Sequence, residues 1–170
     1  MRIRNLLCVI AGLSMATGLM WGADQRGPST PEERAKALQI IRHLETDPLA
    51  SAKEERQWLT LWLIEVPDIH VKLCVAFFPS LLDEKKKHGG DLVIQSGYSM
   101  AAFQIEHPEQ SKDENAWYVA GVEGALRAYE AILQKEPKSR LPVLDALIVK
   151  RDAGTLVTFV QETATKCKSK

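Results

Sequence analysis

Neither sign of charge is in excess in this chain: 22 Lys and Arg stand against 22 Asp and Glu over 170 residues. Such a balance supplies no drive toward phosphate, so nucleic-acid binding has no support. The basic runs, Lys85 to Lys87 and the tail Lys166, Lys168 and Lys170, are short and read as solvated. No segment sustains the period-two alternation of a half-buried strand, and Leu92-Val93-Ile94 is too short to argue for a sheet. Also missing are a Gly-rich phosphate loop, a nucleophile elbow, a dinucleotide fingerprint and an HExxH pattern, so no cofactor is expected. The main apolar run, Leu6 to Met20, has 15 residues, short of the roughly 20 that a spanning helix needs.

What is present begins with that run. Arg2 and Arg4 precede it and small residues follow it, the pattern of a secretory signal peptide over residues 1–23, cut after Ala23. An uncleaved anchor is the competing reading. Cutting leaves 147 residues with 20 basic and 22 acidic side chains, a net charge of about −2 and the usual size of one domain with one core. The destination is the periplasm or the exterior, with no stable membrane span after processing.

Two cysteines survive processing, Cys74 and Cys167, and an even pair in an exported chain reads first as one disulfide. It would close a loop of about 93 residues, for which chain entropy gives roughly 4 to 5 kcal/mol of stabilisation. Two free thiols or an intermolecular bridge are the alternatives.

After a polar leader, residues 24–30, the pattern is helical throughout a single domain, residues 31–168. Ser29-Thr30-Pro31-Glu32-Glu33 is a strong helix start, and Ala37, Ile40, Ile41 and Leu44 recur at helical spacing until Asp47-Pro48. A second helix is expected from about Ser51 to Glu65, with Trp58, Leu61 and Trp62 on one face. Asp68 then caps a third segment that carries His70, Leu73, Cys74 and Phe77 on one stripe. Gly89-Gly90 reads as a loop, and a fourth helix runs from Leu92 to Glu106.

The fifth helix, about Glu114 to Glu136, is apolar over most of its girth and belongs in the middle of a bundle. Its Gly121 and Gly124 would let a neighbour approach closely, and Glu123, Arg127, Glu130 and Gln134 form its one polar stripe. Ser139 caps a sixth helix over Leu141 to Val149, and a last helix after Gly154 puts Leu156, Val160, Thr163 and Cys167 on one face. The expected fold is an all-α bundle of six or seven helices.

Candidate chemistry is sparse. His70 and Cys74 are four apart, a spacing that would seed a zinc site or an imidazole-activated thiol on a helix, but His43, His88 and His107 lack paired spacing and such a metal site needs about four ligands. The structural reading sets His70 beside a half-cystine. Glu106, His107 and Glu109 place an acid and a base close together at a helix end, where the ordinary role is C-terminal polar residues. Glu123 and Arg127 are either a buried pair in a cleft or a solvated stripe.

Ala125, Tyr129 and Pro137 in ALRAYEAILQKEP resemble the second helix of a tetratricopeptide repeat, but the first half and any second copy are missing, so the likeness is one of helix packing. A more extended resemblance covers residues 89–167. GGDLVIQS, WYVAGVEGAL, GTLVTFVQ and a closing cysteine resemble, in order, the motifs of the periplasmic immunity proteins that bacteria use against type VI secretion amidases. Where that family carries further cysteines this chain has Ser96 and Ala116. The resemblance implies a helical, disulfide-bonded envelope protein that inhibits a toxin by binding it, with a loop such as Pro108 to Asn115 or Lys85 to Gly90 making contact. Without it, the residues point to an exported, non-catalytic helical protein of the cell envelope, a protein-binding or structural module whose expected partner is another envelope protein. The alternative is an envelope enzyme or metal-binding protein that uses His70 and Cys74.

Overall fold

The computed structural model describes residues 26–83 and 86–167. The expected signal peptide, residues 1–23, and the tail lysines Lys168 and Lys170 lie outside them. Six α-helices and three short 3-10 turns, with no strand among the described residues, make an all-α bundle. The helices are α1 (Pro31–Thr46), α2 (Lys53–Glu65), α3 (Gly89–Glu106), α4 (Glu114–Lys135), α5 (Pro142–Asp152) and α6 (Leu156–Ala164).

Helix ends form where the sequence chemistry asks for them. Thr30 and Glu33 close a capping box on α1, the Glu33 amide donating to Thr30 Oγ1 at 3.2 Å and the Thr30 amide to Glu33 Oε2 at 2.9 Å. Asp113 caps α4 by accepting from the Asn115 and Ala116 amides. Past the end of α5, Gly154 sits at φ 69° while the Thr155 amide reaches back to the Lys150 carbonyl, so the helix stops in a Schellman turn.

Two apolar clusters meet at α3. Leu92, Val93 and Met100 face α4, α5 and α6, whereas Tyr98, Ala101 and Ala102 face α1 and α2. Twelve of the 18 residues of α3 are buried against ten of 22 in α4, so α3 and not α4 is the more enclosed helix. The close approach expected of the glycine face is there. A Cβ on Gly124 would stand 1.9 Å from Ser99 Oγ and 2.3 Å from Ser99 Cβ, and one on Gly121 would stand 2.8 Å from the Ser96 carbonyl. Tyr129 ties α4 to the start of α5, its hydroxyl accepting from the Leu141 amide at 2.8 Å and donating to Asp145 at 2.9 Å.

Several expectations need correction. Residues 66–74 are not helical: they form an extended strap, followed by a 3-10 turn at Val75–Phe77. Pro67 opens this strap, and polar contacts hold it where a helical ladder would otherwise do so. Asp68 caps nothing and instead accepts from the Ser29 amide and hydroxyl, both at 2.8 Å, and from Arg34 at 2.7 Å. The Gln104 side chain pairs with the His70 backbone, accepting from its amide at 3.0 Å and donating to its carbonyl at 2.6 Å. Gly89 and Gly90 belong to the first turn of α3 rather than a loop, and Gly89 is needed there for packing, since a Cβ on it would lie 1.9 Å from the Leu81 carbonyl oxygen. Ser139 donates to Glu136 and leaves Leu141 as the uncapped start of α5. On α2 the inward residues are Leu59 and Trp62, with Leu61 49% exposed.

Cys74 and Cys167 are bridged, with Cα atoms 5.6 Å apart, which fastens the end of the strap to the turn after α6. Reduction should therefore lower the thermal midpoint by on the order of 10 °C, taking about 4 to 5 kcal/mol for the loop and a domain of this length. Calorimetry with and without reductant checks this, and coincident transitions would count against it. Gly124→Ala should cost about 2 kcal/mol despite the better helix propensity of alanine, since Ser99 Cβ has no flexible end to swing aside. Urea titration against wild type reads that difference, and an unchanged midpoint would show that α3 can give way.

Candidate functional site

The last full turn of α1 ends in a glutamate on the apolar side of the helix. Glu45 follows Ala37 and Ile41 at helical spacing and is 4% exposed, buried with the residues it is in phase with. A carboxylate there loses its water, at a cost of several kcal/mol unless it is paired. Three helices supply the partners. Arg127 of α4 donates from Nη2 to Oε1 at 2.9 Å and from Nε to Oε2 at 3.0 Å, a bidentate fork. Arg42 of α1 donates from Nη1 to both oxygens, and Ser99 of α3 donates to Oε1 at 2.7 Å. Burial alone would raise the Glu45 pKa, but the hydrogen bonds from Arg127, Ser99 and Arg42 together outweigh it and hold the carboxyl below its ordinary value.

The two guanidiniums are half exposed, and they form one wall of a cleft of about 510 Å³. Phe103 and Glu106 at the end of α3, Asn115, Ala116, Val119, Ala120 and Glu123 on α4, and Val157 and Gln161 on α6 complete it, with His107, Gln110 and Asp113 in the connection before α4. Glu106 accepts from Arg42 Nη2. His107 lies against Phe103 with ring centroids 4.7 Å apart and points Nδ1 toward Glu109 at 3.6 Å.

Two groups weighed separately in the sequence thus meet at this one cleft. Glu106 with His107 forms one side and Glu123 with Arg127 another, but the pairings differ from those the spacing suggests. Arg127 turns inward to Glu45, and half-buried Glu123 is left with no hydrogen-bond or ion-pair partner among the described residues. The acid and base at residues 106 and 107 also separate, Glu106 going to Arg42 and His107 to Glu109.

The His70 and Cys74 pair does not form a helix face, because both lie on the strap; Cys74 is bridged and His70 is exposed. The remaining histidines are dispersed: His43 meets Glu55 at 3.2 Å and His88 meets Glu136 at 2.9 Å. Lys87, His88 and Ser139 hold the Glu136 carboxyl down at about pKa 2, beside a hollow of about 700 Å³ lined by Lys86, Lys138 and Arg140. Among the described residues no three of His, Cys, Asp and Glu come together in a group able to hold a metal ion. No helix among them is long and apolar enough to cross a membrane.

Glu45 is the residue that sequence reasoning passed over. Its signal was available, since an acid in phase with Ala37 and Ile41 must either leave the apolar stripe or bring a cation to it. Glu45→Gln should lower stability at pH 7 by roughly 2 kcal/mol, below the usual loss for a fully buried pair because both arginines are half in water. The folded pKa is depressed, so the ionised carboxyl stabilises fully above the unfolded value near 4.5 and that contribution is lost as pH falls through the folded value. Wild type and Glu45→Gln should therefore converge in urea midpoint as pH drops from 7 to 3; parallel curves would contradict the assignment.

No protein-family model matches this chain, and neither a curated protein nor a solved structure matches it significantly.

Proposed function

We propose that this chain is an exported, non-catalytic helical protein of the cell envelope, periplasmic or secreted, that works by binding another protein, as immunity-type inhibitors do. The observation that carries the reading is the cleft beside Glu45. It is walled by fixed helices, its arginines are held in place from behind by a buried carboxylate, and the 107–113 connection borders it. Loops on a rigid helical scaffold are the usual carriers of recognition. The bridge between Cys74 and Cys167 suits an oxidising compartment, as does the N-terminal segment of the sequence.

The alternative, an envelope enzyme or metal protein centred on His70 and Cys74, has less behind it. A thiol that attacks or ligates must be free, and this sulfur is bonded to that of Cys167. His70 engages Gln104 through its backbone rather than its ring.

A photo-crosslinking residue at exposed Asn115, on the rim of the cleft, tests the binding reading in the envelope of the native host. The same residue at Lys53, exposed at the start of α2, is the control. One stoichiometric protein adduct at position 115 and none at 53 is the expected result. No adduct at either site, or the same adducts at both, would sink it.

A further inference from the structure

The cleft is unequal in charge and in satisfaction. Four carboxylates, those of Glu106, Glu123 and Asp113 on its walls and of Glu45 behind them, stand against two guanidiniums, those of Arg42 and Arg127, with the His107 imidazole on the rim. Glu45 and Glu106 are consumed by the arginines, and Asp113 is occupied by the amides of Asn115 and Ala116. Glu123 alone keeps a half-buried carboxylate without a partner among the described residues. On the donor side, Arg127 uses Nε and Nη2 on Glu45 and leaves Nη1 unused. The aromatic ring of Phe103 lines the same space. These acids do not gather into a metal-binding group, so the complement they describe is an organic cation.

We infer that the cleft receives a basic side chain, arginine before lysine, from a loop of the partner protein. This rests on the binding reading above and adds the chemistry of what is bound. The cation sits on the Glu123 carboxylate beside the edge of the Phe103 ring, whose face His107 covers, since a guanidinium pairs bidentately with a carboxylate. The backbone carbonyl of the inserted residue accepts from the free Arg127 Nη1, so one residue meets both unmet groups. Val119, Ala120 and Val157 cover the aliphatic stem. An acidic side chain would meet the two excess negative charges and is rejected.

The test uses the full chain and the blocked tripeptide N-acetyl-Gly-Arg-Gly-amide, followed by nuclear magnetic resonance titration. Its citrulline counterpart has the same shape without the charge. The arginine peptide should shift resonances at Phe103 and along the start of α4, and the citrulline peptide should bind about fivefold more weakly. Glu123→Gln, which removes no contact within the fold, should weaken the arginine peptide by a similar factor and leave the thermal midpoint unchanged. Equal affinity for the two peptides, or indifference to Glu123→Gln, overturns the inference. No peptide binding alongside a protein adduct at position 115 overturns it too, while leaving the binding reading in place. Peptide binding that follows the charge, with no protein adduct, retains the cation site and removes the protein partner.

Discussion

A single carboxylate placed where water cannot follow organises this protein. Glu45 would be strongly destabilising if it were alone among the apolar residues of α1, so the fold brings it a guanidinium from α4, another from its own helix and a hydroxyl from α3. The Ser99 hydroxyl has a short reach, and α3 must therefore approach α1 closely at this level, while the longer arginines span what remains. Gly124 is the steric counterpart of the same demand. The position one turn before Arg127 has to carry no side chain, because Ser99 and the Glu45 oxygen occupy that volume, the latter 2.7 Å from where a Cβ would stand. Electrostatics and packing are thus one constraint seen from two sides.

Around this centre, the remaining order comes from polar contacts made by irregular chain. The 66–74 strap has no helical ladder of its own, yet its ends and middle are pinned: Asp68 to Ser29 and Arg34, His70 to Gln104, Cys74 to Cys167. Leu73 and Val71 press on Gly97, where a Cβ would come within 2.8 Å of the Leu73 side chain. The strap thereby acts as a further packing layer over α3, which explains how the middle of a helix with buried Gln95, Ser96, Ser99 and Gln104 is enclosed while Ile94 nearer its start stays exposed. Those polar side chains bond to Glu45, to the strap and within their own helix, so their burial is compensated.

The sequence made the helix boundaries legible wherever local chemistry decides them. Thr30-Pro31 with Glu33, Asp113 and Gly154 each carry a cap whose bonds form within a few residues, and no distant partner can overrule them. It misled where the deciding partner is remote. The stripe of His70, Leu73, Cys74 and Phe77 has helical spacing, but Gln104 and Asp68 offer this backbone and its flanks better bonds than a short helix between Pro67 and Pro79 would make. Gly89-Gly90 looks like a loop for a different reason, since what requires Gly89 is a backbone contact with the Leu81 carbonyl, eight positions earlier, which no side-chain pattern announces. Glu106, His107, Glu123 and Arg127, which spacing brought forward, all lie at the cleft. Spacing paired them within their own helices because Glu45, 82 positions before Arg127, is invisible to a local rule.

The Cys74 to Cys167 bridge divides the chain in a way that only tension would reveal. Everything from α3 to α6 lies inside a covalent ring, whereas α1, α2 and the strap form a tail outside it. Drawn out by its ends, the oxidised molecule can extend only by the tail, about 48 described residues at roughly 3.5 Å each, or some 170 Å. The ring itself carries no load. A motor that pulls this protein from its N-terminus would first part Ser29 and Arg34 from Asp68, then break the Glu45 cluster, and finally meet a covalent loop of four helices that it cannot thread as a single strand.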